Sequence, residues 1–293
     1  MKKKLKILYL GNFGNKFSDK TEEHIKFAFE KLGHEVITFE EKEFNTQRLL
    51  SIKADLFLFH KGGENFGVGL PRLIELLNKM TIQKVCWYFD KAWKGREIWL
   101  DRVTPFVDYM FVTDETWARR RNFNNVRILR QGIGNENLSK GKVVEKYKGD
   151  TAFVGASYGQ RYSFVEALKE VYGGGFKTYN NVFGRDLYDL CASTKIFVAP
   201  LFPQDNFYWS SRVYMIIGSG GFLLHPKLEG IKTEFEDKKE IVYYRNGREL
   251  KEYIDYYLEH ETERLSIQEA GYKKCIENFT YLDRVKNMLG TII

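Results

Sequence analysis

Residues 6–39 read KILYLGNFGNKFSDKTEEHIKFAFEKLGHEVITF, and the order of patterns inside this stretch decides the fold class. The apolar run 6–10 has strand character and breaks at Gly11-Asn12-Phe13-Gly14. Ile25, Ala28, Phe29 and Leu32 then recur three and four residues apart, so they share one face of a helix. Asp19 followed by Glu22 has the spacing of a capping pair, Gly33 ends the helix, and 36–39 resumes as a strand. A strand, a glycine-bearing loop, a helix and a second strand make the opening unit of a parallel sheet.

The alternation continues outward from there. Strands are expected at 55–59, 85–89, 109–112 and 126–129, with a helix at 70–79 that carries Pro71 in its first turn. Strands that are apolar throughout and separated by helices belong to a sheet covered on both faces. The pattern stops at Gly132-Ile133-Gly134, and the polar, lysine-rich segment 135–149 has no period and reads as a linker. It restarts with strand 151–154, helix 160–171, strand 178–183, helix 186–192 and strand 195–199. Helix 211–217, strands 222–224 and 240–243, and helices 248–260, 267–278 and 281–289 complete the second half. A chain of 293 residues is long enough for two such α/β domains, expected over 1–137 and 150–278, with 279–293 as a last helix.

Composition narrows the partners. The net charge of +7 points to anionic company, whether nucleotide phosphates, nucleic acid or an acidic membrane surface, and does not choose among them. Basic runs at Lys2-Lys3-Lys4, at Arg119-Arg120-Arg121 and across Lys140, Lys142, Lys146 and Lys148 spread that charge along the chain, and each is alternatively a solvated face. Cys86, Cys191 and Cys275 are odd in number, far apart and without C-x-x-C spacing, which argues against a disulfide framework and against zinc. The apolar run 7–10 is too short for a signal peptide and no 18 apolar residues run together, so a soluble, cytoplasmic protein is expected.

Ligands of doubly wound sheets bind beyond the carboxyl ends of the strands, so loops that follow strands hold the candidate site. Gly11 and Gly14 either let backbone N–H groups approach a phosphate ahead of a helix or make a plain tight turn. His60 ends strand 55–59, where it either serves a sugar hydroxyl or a proton transfer or is a satisfied structural histidine. Asp90, followed by Lys91 and Trp93, either accepts a proton from an acceptor hydroxyl or caps a helix. In Gly155-Ala156-Ser157-Tyr158-Gly159-Gln160-Arg161, small residues expose backbone donors, and Arg161 is either a fork for a diphosphate or an exposed helix arginine. Asp205, Asn206, Ser210, Ser211 and Arg212 gather before an apolar helix that carries Tyr214 and ends in Gly218, Gly220 and Gly221. They are either hydroxyl-reading groups or turn and cap residues.

At these residues the chain resembles the GT-B fold glycosyltransferases, specifically the group-1-like family that includes spore-maturation CgeB-like proteins. FVGASYGQRYSFVEAL at 153–168 is similar to that family's strand, glycine loop and arginine helix, and SSRVYMIIGSGGFLL at 210–224 to its Ser-x-Arg helix and glycine turn. EIVYYRNGRELKEYIDYYL at 240–258 and EAGYKKCIENFTYLDRVKNML at 269–289 are similar to its tail. The resemblance implies an α/β protein of two Rossmann-like, doubly wound domains facing a central cleft. It implies an acceptor-binding N-terminal domain, a nucleotide-sugar-binding C-terminal domain, a last helix crossing back to the first, and no required cofactor or metal. Carried over by residue, Gly155 and Arg161 meet the diphosphate, Phe183 and Gly184 border the base, Ser211 and Arg212 sit near phosphate and ribose, and Asp205 and Asn206 face the donor sugar. Tyr214, Ser157 and Gly220 complete the expected donor-binding set, and Asp90, His60, Arg161 and Arg212 are the expected catalytic residues. One position departs: Met215 stands where many relatives have a glutamate that holds ribose hydroxyls, so another residue reads the ribose, the nucleotide is held differently, or activity is lost.

The leading expectation is therefore a metal-independent, retaining glycosyltransferase, a hexosyl- or pentosyltransferase using a UDP-, GDP- or dTDP-sugar. Its acceptor is a glycan or small molecule, or DNA with a hydroxylated base, since Arg119 to Arg121 with Trp117 and Phe123 form a basic, aromatic-interleaved stretch. The alternatives are a nucleotide-sugar epimerase or hydrolase, and a catalytically inactive nucleotide-sugar or nucleic-acid binding protein.

Overall fold

The computed structural model describes residues 4–13, 20–61, 69–134, 139–202 and 204–293. The chain forms two compact units, one of residues 1–131 with 281–293 and one of residues 132–280.

Within the first unit the order is β1 (Lys6–Gly11), α1 (Thr21–Lys31), β2 (Glu35–Glu40), α2 (Thr46–Ser51), β3 (Leu56–Lys61), α3 (Leu70–Lys79), β4 (Gln83–Tyr88), α4 (Gly95–Val103), β5 (Tyr109–Val112), α5 (Glu115–Arg121) and β6 (Val126–Ile128). Among the described residues these strands pair in parallel in the order β2-β1-β3-β4-β5-β6. The buried runs of β1 and β3 explain the uninterrupted apolar sequence there, because helices cover both faces. The order reverses between β1 and β3, so their carboxyl ends, at Gly11 and His60, flank the crevice where sheets of this type take ligands.

In the second unit come β7 (Gly149–Val154), α6 (Gln160–Tyr172), β8 (Phe176–Tyr179), α7 (Gly184–Ser193), β9 (Thr194–Val198), α8 (Arg212–Gly218), β10 (Leu223–Pro226), β11 (Val242–Tyr244), α9 (Gly247–Glu259) and α10 (Glu261–Asn278). Its parallel sheet runs β11-β10-β9-β7-β8, the same winding, with the reversal between β7 and β9. The last helix, α11 (Tyr281–Ile292), packs on α1 of the first unit. The Tyr281 ring stacks 5.7 Å from His24, and Arg284 Nε donates to the Gln131 carbonyl at 3.0 Å.

Several local expectations differ from the structure. Helices α2, α4 and α5 are too short to show a clear period. The first and last are nucleated by side-chain caps: Asn45 accepts from Arg48 N at 3.0 Å, and Asp114 from Trp117 N at 3.0 Å. The strand expected over 178–183 ends at Tyr179, because Asn181 takes a left-handed φ of 56° that a strand cannot continue through. Asp19 lies outside the described residues. Lys20 precedes the first turn of α1 with no side-chain cap, and Glu22 turns away from the helix end to His60.

Candidate functional site

At the winding reversal of the second unit, the carboxyl end of β7, the β8–α7 loop and the start of α8 enclose a cavity of about 220 Å³. Val154, Gly155 and Ala156 form one wall, Asn180 to Phe183 another, and Ser210, Ser211 and Arg212 a third, with Leu187, Met215 and Ile216 beneath. Of the expected residues, Gly155, Phe183, Ser211 and Arg212 thus meet in one place. Asn180, Asn181 and Val182 join them because β8 stops early, a loop that apolar patterning reads as strand.

Arg212 enters from the first turn of α8, its Nε donating to the Val154 carbonyl at 2.6 Å. Arg161, in the first turn of α6, does not line the cavity; its Nη1 donates to the carbonyl of Ala156, which does, at 2.9 Å. Both guanidinium carbons lie by the ring of Phe153, at 5.2 Å and 6.0 Å, and Arg161 also lies 4.9 Å from the ring of Tyr158. Among the described residues neither arginine is in an ion pair, and Arg161 Nε is buried without a partner. Burial, and then the charge of Arg161, pull the Arg212 guanidinium down to about 10. Two buried cations thus repel each other beside one ring, and among the described residues neither is in an ion pair with a carboxylate.

Gly155 has a different part from the one its sequence suggests. Its N–H donates to the Tyr179 carbonyl at 2.8 Å and is not free for a phosphate. Its φ of 132° and its missing side chain make room for the Arg212 guanidinium, which a Cβ would strike.

Other expected donor residues lie elsewhere. Ser157 is exposed, and Gly184 opens α7 next to Phe183; neither lines the cavity. The Asp205 carboxylate accepts from Phe207 N at 2.9 Å in a local turn, and the Asn206 carbonyl holds Gly230 N at 2.8 Å. Tyr214 is turned into the core, its hydroxyl accepting from Trp209 Nε1 at 2.9 Å and donating to Glu234. Gly220, with a φ of 82°, stops α8: its N–H donates to Ile217 O and that of Gly221 to Ile216 O, each at 2.9 Å, which is the bond pair of a Schellman cap.

The first unit has its own cluster at the ends of β1 and β3. His60 is buried, with Nε2 3.2 Å from Glu22 Oε1 and Nδ1 3.3 Å from the Tyr9 hydroxyl. Both ring nitrogens are therefore occupied. Burial raises the Glu22 carboxyl, but the hydrogen bond and charge of His60 outweigh it and leave the group below the usual carboxylate range. A Cβ on Gly11 would sit 3.2 Å from His60 Cε1, so glycine permits the rings to close there; Gly14 lies outside the described residues. Asp90, just past β4, is 3.4 Å from Arg96 Nη1. Glu22 and Tyr9 escaped sequence reasoning because their partner is distant in the chain.

The arginine run has a structural explanation. Arg119 pairs with Glu115 at 2.6 Å, Arg120 with Glu97 at 2.8 Å, and Arg121 with Asp101 at 2.8 Å, while Trp117 is wholly buried. A phosphate-tracking surface needs free cations and exposed rings, and this stretch has neither. Among the described residues no group of three or more His, Cys, Asp or Glu is placed to hold a metal ion, and no helix is long and apolar enough to cross a membrane.

Residues 144–290, half of the chain, match the model of the glycosyl transferase-like family. The chain belongs to that family. It is a glycosyltransferase, and its two parallel sheets are the Rossmann-like domains of the GT-B fold. No curated protein matches it in sequence. Among solved structures, the chain is similar to Anabaena HepE in complex with UDP-glucose, at 11% identity and a TM-score of 0.71, over 98% of this chain and 99% of that one. It is similar to an α-glucosyltransferase in complex with UDP-glucose and DNA containing an abasic site, at 9% identity and 0.69, over 99% and 100%. It is also similar to sucrose-phosphate synthase from Thermosynechococcus elongatus, at 11% identity and 0.69, over 98% of each chain. At these identities the likeness is one of fold.

Proposed function

We propose that this glycosyltransferase moves a sugar from a nucleoside diphosphate donor, a UDP-sugar foremost among UDP-, GDP- and dTDP-sugars, to an acceptor hydroxyl. The observation that carries the reading is the pair Arg161 and Arg212, two unpaired guanidinium groups beside one aromatic ring at the winding reversal of the second unit. Such a pair stabilises a diphosphate in the ground state and more so as it leaves with additional negative charge. Phe183, 39% exposed at the cavity rim, offers its ring to the base.

In this reading the second unit binds the donor and the first the acceptor, with Asp90 the carboxylate assigned to the acceptor hydroxyl. Transfer is retaining and needs no metal, the arginines supplying the positive charge. A glycan or small-molecule acceptor is favoured over DNA, since the arginines of 119–121 are paired with carboxylates. The three cysteines are buried and in no disulfide, which supports work in a reducing cytoplasm on its nucleotide-sugar pool.

The test is calorimetric titration of UDP, GDP and dTDP and their sugars into the parent protein and into Arg161→Ala and Arg212→Ala, followed by NMR of the anomeric product with a hydroxyl acceptor. Binding to the parent with loss in both variants is expected. Undiminished binding in both overturns the assignment, and an inverted product overturns retention.

A further inference from the structure

The cavity that holds Arg212 has no carboxylate: among the described residues lining it, none is aspartate or glutamate. In Rossmann-type dinucleotide sites an acidic side chain accepts from the ribose 2′-hydroxyl, and a bond to a charged acceptor is stronger than one to a neutral acceptor. Met215 follows Arg212 by three residues, so both side chains lie on one face of the helix, and both line the cavity. Its thioether accepts hydrogen bonds weakly. Leu187 and Ile216 beside it accept none.

The polar side chains nearby, Asn180, Asn181, Ser210 and Ser211, are all neutral. The Asn180 amide oxygen accepts from Asn181 N at 3.0 Å, and Ser210 Oγ is 3.5 Å from Arg212 Nη1. We propose that the donor site is indifferent to the 2′-hydroxyl of the nucleotide, that 2′-deoxynucleoside diphosphates and their sugar conjugates are accepted as well as ribonucleotides, and that Met215 is the residue that sets this. The inference rests on the reading of the cavity as a nucleoside diphosphate site.

The experiment titrates the pairs UDP and dUDP, GDP and dGDP, and ADP and dADP into the full chain and into the variants Met215→Glu and Met215→Gln, with unfolding curves to establish that the variants are folded. In the parent, the two members of any pair that binds agree in Kd within about threefold, as expected when at most a neutral hydrogen bond differs. In Met215→Glu the ribonucleotide gains over its deoxy partner by about tenfold or more. A parent that already prefers the ribonucleotide by about tenfold overturns the proposal while leaving the donor reading intact. A ratio unmoved in both folded variants removes Met215 as its determinant. Failure of all six nucleotides to bind the parent overturns the donor reading itself.

Discussion

The guanidinium of Arg212 occupies the space a side chain at position 155 would take, so Gly155 and Arg212 form one unit although 57 residues separate them. The contact is held from the other side by the 2.6 Å bond from Arg212 Nε to the Val154 carbonyl. Gly155→Ala faces both a φ of 132° that an L side chain rarely adopts and a collision with a charged group. It should cost about 1–3 kcal/mol of stability and weaken nucleotide binding. Urea unfolding and calorimetry check this, and a variant normal in both would mean that the arginine has another place to go.

In the proposed donor site Arg161 would hold the diphosphate at a cost to the ligand-free protein. Its charge opposes that of Arg212, and its Nε is buried without a partner. Arg161→Leu is expected to leave the ligand-free protein as stable as the parent or more so, while transition-state stabilisation falls by about 2–4 kcal/mol. Thermal unfolding without nucleotide, set beside kcat/KM for sugar transfer, separates the two effects. A loss of stability without a loss of turnover would make the residue structural.

His225, buried on β10, ties stability to pH. Burial lowers its pKa, the bond from Nδ1 to the Pro226 carbonyl opposes that, and the charge of Arg212 adds to it, leaving the ring at about 4 against an ordinary 6.5. As pH falls from 6.5 towards 4, the unfolded chain takes up a proton that the folded protein refuses. Stability conferred by the neutral ring is complete above 6.5 and declines through that window, by up to about 3 kcal/mol. Urea midpoints from pH 7 to pH 4 should show a shallower decline for His225→Gln than for the parent. Identical slopes would place the acid sensitivity elsewhere.

Glu22 and His60 are a buried pair whose loss should be felt in folding before chemistry. Glu22→Leu strips the Nε2 of His60 of its partner and should cost about 1–3 kcal/mol at pH 7, whereas Glu22→Gln retains a hydrogen bond and should cost less. Because the Glu22 carboxyl is lowered in the folded protein, its contribution is present above the ordinary carboxylate pKa of 4.5 and fades as pH drops below it. The parent and Glu22→Leu should therefore converge in acid. Urea curves at pH 7 and pH 4 test this, and a gap that fails to narrow would point to packing.

Legibility varied with the range of the interaction. Helices α3 and α9 and strand β5 show plainly in residues 70–79, 247–259 and 109–112, because each carries enough turns or apolar residues for its period to stand out. The glycines at 155 and 220 are equally visible as glycines. One clears a space for an arginine and the other closes a helix, and nothing in their neighbours along the chain distinguishes them. Tyr214 and Met215 are adjacent on one helix. One helical step of about 100° sends the first into the core against Glu234 and leaves the second lining the cavity.

Element type, the parallel alternation and the presence of arginines 161 and 212 after the right strands belong to the sequence, since hydrophobic period and turn chemistry act between residues close along the chain. Tertiary structure decided which charges are left over. The cations of 119–121 lie within reach of Glu97, Asp101 and Glu115, whereas Arg161 and Arg212 lie by one ring at a strand end and, among the described residues, are in no ion pair. Coulomb interaction and desolvation depend on distance in space and on access to water, and neither quantity exists until the chain has folded.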